Sequence, residues 1–401
     1  MPRFEPFAAV RYSADRVALG DVVAPPYDVI GPEQRAVLEA RSPHNVVHVD
    51  LANGAGADDP YDQARCRLAE WLAEGVLERD DAPGYYAYRM GWRTAAGQPR
   101  QTSGVLGLLA LASGDGPVGG VLPHERTMAR PLGDRLQQLR TCRANISAIW
   151  ALSLADGVPA ATAAATEGPP LARCTDDDGV HHRLWRITAP AAVEAVGAAV
   201  ASAPVVIADG HHRYETALAY RAERRAAEGD GPGPHDLVLA YVTGLADGEL
   251  GVGAIHRLLS GLPPDFPLLD ALSTVFEPDA AGPPSEALAD RMAAEGGAGL
   301  VMSDRSWLLR PRPDVGSATW VDSERLEHAL QGAPDHELSF TPDVGSALAL
   351  VDKGEAQAAV LLRPLGVEQI AVAARAGRRL PQKTTYFFPK PRTGVVIRSL
   401  D

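Results

Sequence analysis

The sequence predicts an α+β fold with mixed sheets, and three observations carry that prediction. Short apolar runs rich in β-branched residues, such as 204–208 and 236–243, have the length and composition of buried strands. Between them lie stretches with helical apolar spacing, such as 61–75, where Ala64, Leu68, Trp71 and Leu72 form one stripe. Two more helical stretches, 31–40 and 190–201, carry proline in the first turn, where its missing N–H costs nothing.

At 401 residues the chain is long enough for two or three compact portions. The pattern divides it into an N-terminal α/β portion (1–120), a core (121–260) and a C-terminal α/β portion (261–401). Hydrophobic residues make up 46% and charged residues 22%, the balance of an ordinary globular protein. A formal net charge of −13 argues against nucleic acid as a partner, because broad phosphate-backbone binding needs a basic face. Any anionic ligand must therefore be held by a local basic cluster. Cys66, Cys142 and Cys174 are widely spaced with no C-x-x-C, so neither a disulfide framework nor a zinc ribbon follows. The first residues lack a signal-peptide core, and the longest apolar run, 105–112, is far too short for a membrane span. A cytoplasmic location is expected.

Taken in order, residues 1–23 alternate apolar and polar side chains like an early strand and loop. In Ala24-Pro25-Pro26-Tyr27-Asp28, two prolines hold the backbone extended and present Tyr27 and Asp28 at a fixed angle, a candidate substrate contact. Residues 45–51 alternate like a strand, with His48 and Asp50 on one face. Residues 85–90 and 105–111 read as strands around a polar hairpin. A polar knot, His124-Glu125-Arg126, stands between a glycine-rich loop and a helix over 132–144. That helix buries Leu132, Leu136 and Leu139, and aligns Gln137, Arg140 and Arg143 on its other face, just before Asn145. Aligned arginines with no acid among them suit a phosphate or carboxylate; partner carboxylates elsewhere are the other explanation. His181 and His182 fall at an exposed strand end before strand 184–187. Beyond the core, a strand ending in His256-Arg257 is a further candidate wall of the site, and Trp307 and Trp320 read as core anchors. The tail reads as a terminal hairpin in which Lys383 and Lys390 flank an aromatic strand.

The most informative stretch is 204–218, P-V-V-I-A-D-G-H-H-R-Y-E-T-A-L. Asp209-Gly210 breaks the strand, and the helix that follows puts Gly210, His211, His212 and Arg213 on its first turn. The N–H groups of that turn have no intrahelical partners and carry partial positive charge. Two imidazoles and a guanidinium add side-chain donors. The turn therefore suits a phosphate or carboxylate. The plainer reading is that Asp209 caps the helix and the histidines are ordinary polar residues. Adjacent histidines point about 100° apart on a helix, unlike the i, i+4 pair of a zinc helix, which disfavours one metal held by both.

V-I-A-D-G-H-H-R-Y-E-T-A-L, A-P-P-Y-D-V-I, L-P-H-E-R-T, R-A-N-I-S-A-I and P-Q-K-T-T-Y-F-F-P-K together resemble one bacterial and archaeal family of unknown function, over nearly the whole chain. The strand–D-G-H-H-R–helix element is also similar to the phosphate-binding turn of the ParB/sulfiredoxin superfamily, which includes free L-serine kinases acting with a nucleotide. That likeness implies a ParB-like core in 121–260 with flanking α/β portions. It implies phosphate roles for Gly210, His211, His212 and Arg213, and a place for Asp209 near a metal or the acceptor hydroxyl. It further implies an early acidic general base, for which Asp28 is the nearest candidate. The chain is much longer than such kinases and carries no ParB helix-turn-helix.

These residues predict a small-molecule phosphotransferase that uses ATP, ADP or pyrophosphate as donor, with Mg²⁺. Asp28, Asp209, His211, His212 and Arg213 are the candidate catalytic residues, with Asp28 or Asp209 as base or magnesium ligand. Candidate phosphate- or substrate-binding residues are Tyr27, His124, Glu125, Arg126, Arg140, Arg143, Asn145, Gly210, His256 and Lys383. No Walker motif, G-x-G-x-x-G fingerprint or kinase catalytic loop is present, so the donor is held unconventionally. Two rival expectations use the same residues. One is a nucleotide-binding, ParB-like regulatory protein without turnover; the other is a metal-dependent hydrolase or lyase built on His124-Glu125 and His211-His212.

Overall fold

The computed structural model describes the chain apart from residues 53–58, 95, 113–119, 124–128, 245–249 and 318, and apart from the side chains of 123 and 129–132. His124, Glu125 and Arg126 thus lie outside the described residues. The fold is α+β with mixed parallel and antiparallel sheets. The described residues divide into two compact units. One holds residues up to Leu250 together with Pro389–Asp401, and the other holds Gly251–Phe388.

The larger unit is built on a nine-stranded sheet. Its path runs Val121–Pro123, Val205–Asp209, Ile149–Ser153, Leu237–Thr243, Pro99–Ala110, Tyr85–Arg93, His181–Ile187 and Ala172–Thr175, with Phe4–Glu5 paired to Pro99–Ala110. Val205–Asp209 runs parallel to Val121–Pro123 and antiparallel to Ile149–Ser153. Val205, Val206 and Ile207 are fully buried, which is why this strand reads as an unbroken apolar run and not an alternating one. The ladder slips between Ile207 and Asp209, a bulge that re-aims Asp209 just where the strand ends. Helix His211–Glu228 follows, burying Tyr214, Ala217 and Tyr220 on one stripe. Helix Ala129–Cys142 packs against it.

A second core of this unit gathers Tyr12, Val47, Trp71 and Ile146 with Ile397 from the chain's last stretch. The smaller unit carries a six-stranded antiparallel sheet. Alternate residues of His256–Ser260 feed its two faces, Leu259 to one cluster and Leu258 to the other. Trp307 is half-buried against the first of these clusters, and Trp320 is half-buried as well.

Four expectations are corrected. The stretch expected to alternate as a strand around His48 and Asp50 is instead a short helix, Val47–Asp50. Asn45 decides this: its Oδ1 accepts the Val47 N–H at 3.0 Å and its Nδ2 donates to the Asp21 carbonyl at 2.8 Å, which heads a helical turn. His182 is buried, not exposed, because Tyr88 and Asp176 satisfy both its ring nitrogens. The tail is not a hairpin. Tyr386–Phe388 pairs with Gly251–Gly253, whereas Arg398–Ser399 pairs with Ala144–Asn145. Lastly, Arg143 lies off the end of its helix, with φ 46°, and so shares no helical face with Arg140.

Candidate functional site

Gly210 makes the connection between strand and helix. Its φ of 90° lies in the left-handed region, and as the N-cap it brings no side chain of its own to the helix it opens. A Cβ here would lie 3.0 Å from Nε and Nη2 of Arg213, so the guanidinium rests against the glycine backbone. Asp209 does not cap. Its Oδ2 accepts the Arg213 Nη2–H at 2.7 Å, and its Oδ1 accepts the ammonium of Lys390, 181 residues further on. Arg213 Nη1 donates to the Ala148 carbonyl on the neighbouring strand segment.

Burial works against an ionised Asp209, but Lys390 and then Arg213 outweigh it and hold the carboxyl well below the usual carboxylate range. Burial likewise works against the Lys390 ammonium, and Asp209 followed by Asp28 more than offsets it, so its pKa lies above the ordinary lysine value. Both oxygens of Asp209 are thus engaged, and the carboxylate positions two cations at the turn. Among the described residues no group of three or more His, Cys, Asp or Glu side chains could hold a metal ion. One carboxylate between two cations leaves positive charge in excess at the head of an 18-residue helix.

Lys390 is delivered by its neighbours in the chain. Pro389 and Pro391 flank it and hold the backbone extended. Two residues on, Arg392 Nε donates to Asp176 Oδ2 at 2.9 Å. The same carboxylate takes His182 Nε2–H at 2.8 Å, and His182 Nδ1 accepts the Tyr88 hydroxyl at 2.7 Å. Burial lowers the His182 pKa below its usual value, in keeping with this neutral tautomer. The network locks the tail onto the sheet and so fixes where Lys390 stands.

On the far side of Arg213 lies a cavity of about 50 Å³, lined among others by Tyr27, Asp50, Arg135, Gln138, Asn145 and Thr216. Asp50 ends its short helix, and that helix's last carbonyls are capped by side chains. Gln138 Nε2 donates to Val49 O at 2.8 Å, and Arg135 Nη1 donates to Asp50 O at 2.9 Å and to Asp50 Oδ1 at 3.0 Å. The Arg135 guanidinium stands 4.4 Å over the Tyr27 ring. Burial pushes the Tyr27 phenol up to about 12, although Arg213 and Arg135 both act to lower it.

The turn residues His211 and His212 are buried and half-buried respectively. His211 adds to the positive field on Asp209. Asp28 is exposed in the 3₁₀ turn Tyr27–Val29, close enough to raise the Lys390 pKa. Asn145 stands on the cavity wall, its Oδ1 accepting Leu239 N–H at 3.1 Å and Arg398 Nη1–H at 3.2 Å. The two arginines have partner carboxylates elsewhere, the second of the two explanations: Arg140 pairs with Glu223 at 2.9 Å and Arg143 with Asp401 at 2.9 Å. Neither lines this cavity. His256 and Lys383 belong to the smaller unit. There His256 Nδ1 accepts the Leu362 N–H at 3.1 Å, and the Lys383 carbonyl accepts Arg257 Nη1–H at 2.7 Å.

Sequence reasoning missed Lys390, Asp50, Arg135 and Thr216. A signal existed for the first: Pro389-Lys390-Pro391 presents a lysine by the same double-proline rigidity that singles out Tyr27-Asp28. Asp50 stood out only as a polar neighbour of His48, and Arg135 and Thr216 carry no local signal.

No curated protein matches the chain. Among solved structures it is similar to a conserved hypothetical protein from Pyrococcus furiosus, at 14% identity and a TM-score of 0.37, with 69% of this chain and 92% of that one covered. It is also similar to free serine kinase in complex with AMP, at 13% identity and a TM-score of 0.38, covering 67% and 83%. SbnI with a C-terminal truncation, from Staphylococcus aureus, is similar at 12% identity and a TM-score of 0.40, covering 72% and 85%. The family model described as a protein of unknown function, DUF1015, matches residues 4–335. The chain whose strand, left-handed glycine and helix build this cationic turn belongs to the DUF1015 family.

Proposed function

We propose that the protein is a small-molecule phosphotransferase that seats the phosphates of a nucleotide or of pyrophosphate on the turn Gly210–Arg213. The observation that carries this reading is the Asp209 cluster. Two cations are held on one carboxylate at the head of an 18-residue helix, which is the arrangement a transferring phosphoryl group needs around its oxygens. In the transfer, the acceptor's hydroxyl oxygen attacks the terminal phosphorus. The bond from that phosphorus to the donor's bridging oxygen breaks, and the donor leaves one phosphate shorter, its new charge met by Arg213 and Lys390. The hydroxyl proton passes to Asp28, the exposed carboxylate whose field already reaches Lys390.

Incubation with ATP, ADP or pyrophosphate, Mg²⁺ and small hydroxyl compounds, followed by phosphorus NMR, tests the proposal. A new phosphomonoester signal is expected with at least one donor. Arg213→Ala should reduce its rate by about 10²-fold, the usual cost of removing one charge-stabilising donor. Absence of product with every donor contradicts the proposal. Nucleotide binding without product points to the second reading, a nucleotide-binding regulator. That reading draws support from Asp209, whose two oxygens are both engaged by cations.

A further inference from the structure

Strands Tyr85–Arg93, His181–Ile187 and Ala172–Thr175 form the end of the nine-stranded sheet remote from Val205–Asp209. Their register sets three arginines in one line. Arg183 lies directly opposite Arg173 on one side and Arg89 on the other, and Arg89 in turn lies opposite Ser103. Residues opposite one another share a face of the sheet, so the three side chains leave that face from neighbouring strands about 4.8 Å apart. Like charges directly opposite destabilise a sheet. Three residues along the same strand, on the other face, Arg186 shows the usual remedy: Asp81 stands 2.8 Å and Asp80 3.6 Å from it. Among the described residues no carboxylate pairs with Arg89, Arg173 or Arg183. The next row on their face, Thr175, His181, Gly91 and Gln101, brings none either.

The row is bare because the cover of this face stops beside it. Trp185, two residues on, is buried, and its Nε1 donates to the Gly168 carbonyl at 2.8 Å. Arg89 stands at the margin of that cover. Its Nη2 donates to Thr166 Oγ1 at 2.8 Å, its Nε donates to Ser103 Oγ at 3.2 Å, and its guanidinium lies 5.2 Å from the Trp185 ring centre. These contacts hold the group in place without neutralising it. Burial, and then the Arg183 charge, lower the Arg89 pKa below the ordinary arginine value. Arg173 and Arg183 are exposed. In a chain of net charge −13, a positive row kept clear of acids is the place where a negatively charged partner is steered and held.

The spacing narrows the partner. An open sheet face encloses nothing, unlike the concave sites that small molecules use. Same-face side chains of an extended peptide recur about every 6.7 Å, out of step with the row. On an α-helix, residues i, i+4 and i+7 are neighbours at about 5–6 Å, close to the distance between strands. We propose that this face docks an acidic helix of a partner protein, laid across the strands, with carboxylates at i, i+4 and i+7 on Arg173, Arg183 and Arg89. Each guanidinium offers a fork of N–H groups that matches a carboxylate's two oxygens. Ion pairs on an open face are individually weak, so the contact is reversible and salt-sensitive. It stands independently of the phosphotransferase reading.

Fluorescence anisotropy tests the inference, with the full chain titrated into a labelled, alanine-rich helical peptide of about 18 residues that carries glutamate at i, i+4 and i+7. Saturable binding is expected at low ionic strength, weakening as salt rises. A peptide of the same composition with its glutamates at i, i+2 and i+5, spread around the helix, should bind at least about fivefold more weakly. Arg183→Gln should weaken the first peptide by about fivefold, and Arg173→Gln with Arg183→Gln by about twentyfold. Arg183→Gln should keep or raise the melting temperature, since it removes a like charge from the middle of the row. If Arg183→Gln does not fold, Arg173→Gln carries the test. No binding at low salt, equal binding of the two peptides, undiminished binding by the folded variants, or a lowered melting temperature in Arg183→Gln overturns the inference. So does tighter binding of single-stranded DNA or inorganic polyphosphate than of the helical peptide.

Discussion

Gly210 serves two physical ends at once, because it supplies a left-handed φ and leaves space for the guanidinium that lies over it. Alanine at this position carries both penalties. Gly210→Ala should cost about 1 kcal/mol or more in a denaturant melt, from the unfavourable φ alone. It should also weaken pyrophosphate binding, since a Cβ 3.0 Å from Arg213 Nε pushes that side chain off the turn. Wild-type stability together with wild-type pyrophosphate affinity would show that neither constraint acts. The residues of this turn were legible in the sequence because they are contiguous and each brings its own chemistry: a breaker, two imidazoles, one guanidinium. The partners of Asp209 and Asp50 were not, because nothing local in a sequence announces a contact 181 residues away, as between Asp209 and Lys390, or 85 away, as between Asp50 and Arg135.

At the scale of elements, the last stretch of the chain behaves as a strap. Thr393 bridges to Ala24, Ile397 to Val10, and Arg398 reaches Asn145, while Arg392 is moored to Asp176. The Arg392 and Asp176 side chains are 8% and 9% exposed, so removing the Asp176 charge leaves a buried guanidinium with the long 3.4 Å contact to the exposed Asp178. Asp176→Asn should therefore cost about 3 kcal/mol, as breaking a buried pair does, and loosen Lys390 along with it. The pH dependence follows from the same carboxylate. His182 and then Arg392, acting against burial, lower the Asp176 pKa from 3.8 to about 2. Its folded pKa lies below its unfolded one, so its contribution is complete above 3.8 and is lost as pH falls towards 2. Melting temperature should drop through that window in the wild type and drop less steeply in Asp176→Asn; parallel curves would contradict the assignment. This strap was misread as a hairpin because an aromatic run between lysines looks locally like a strand pair. The ladder it actually joins lies far off in the chain.

At the scale of the whole molecule, the fold class was legible for a simple reason. Buried strands such as Val205–Asp209 and Leu237–Thr243 are continuous apolar runs, and the amphipathic helices between them keep a clear period. The order of strands within the nine-stranded sheet was not legible, because it depends on pairings between distant stretches. The proposed anion site lies where the sheet ends, at Gly210–Arg213, where Lys390 meets Asp209. Calorimetric titration of ADP and pyrophosphate into the wild type and into Arg213→Ala tests that claim most directly. Saturable binding by the wild type is expected, with a loss of about tenfold to a hundredfold in the variant, the worth of one charge-assisted bond. No binding to the wild type, or the same affinity in Arg213→Ala, would contradict it.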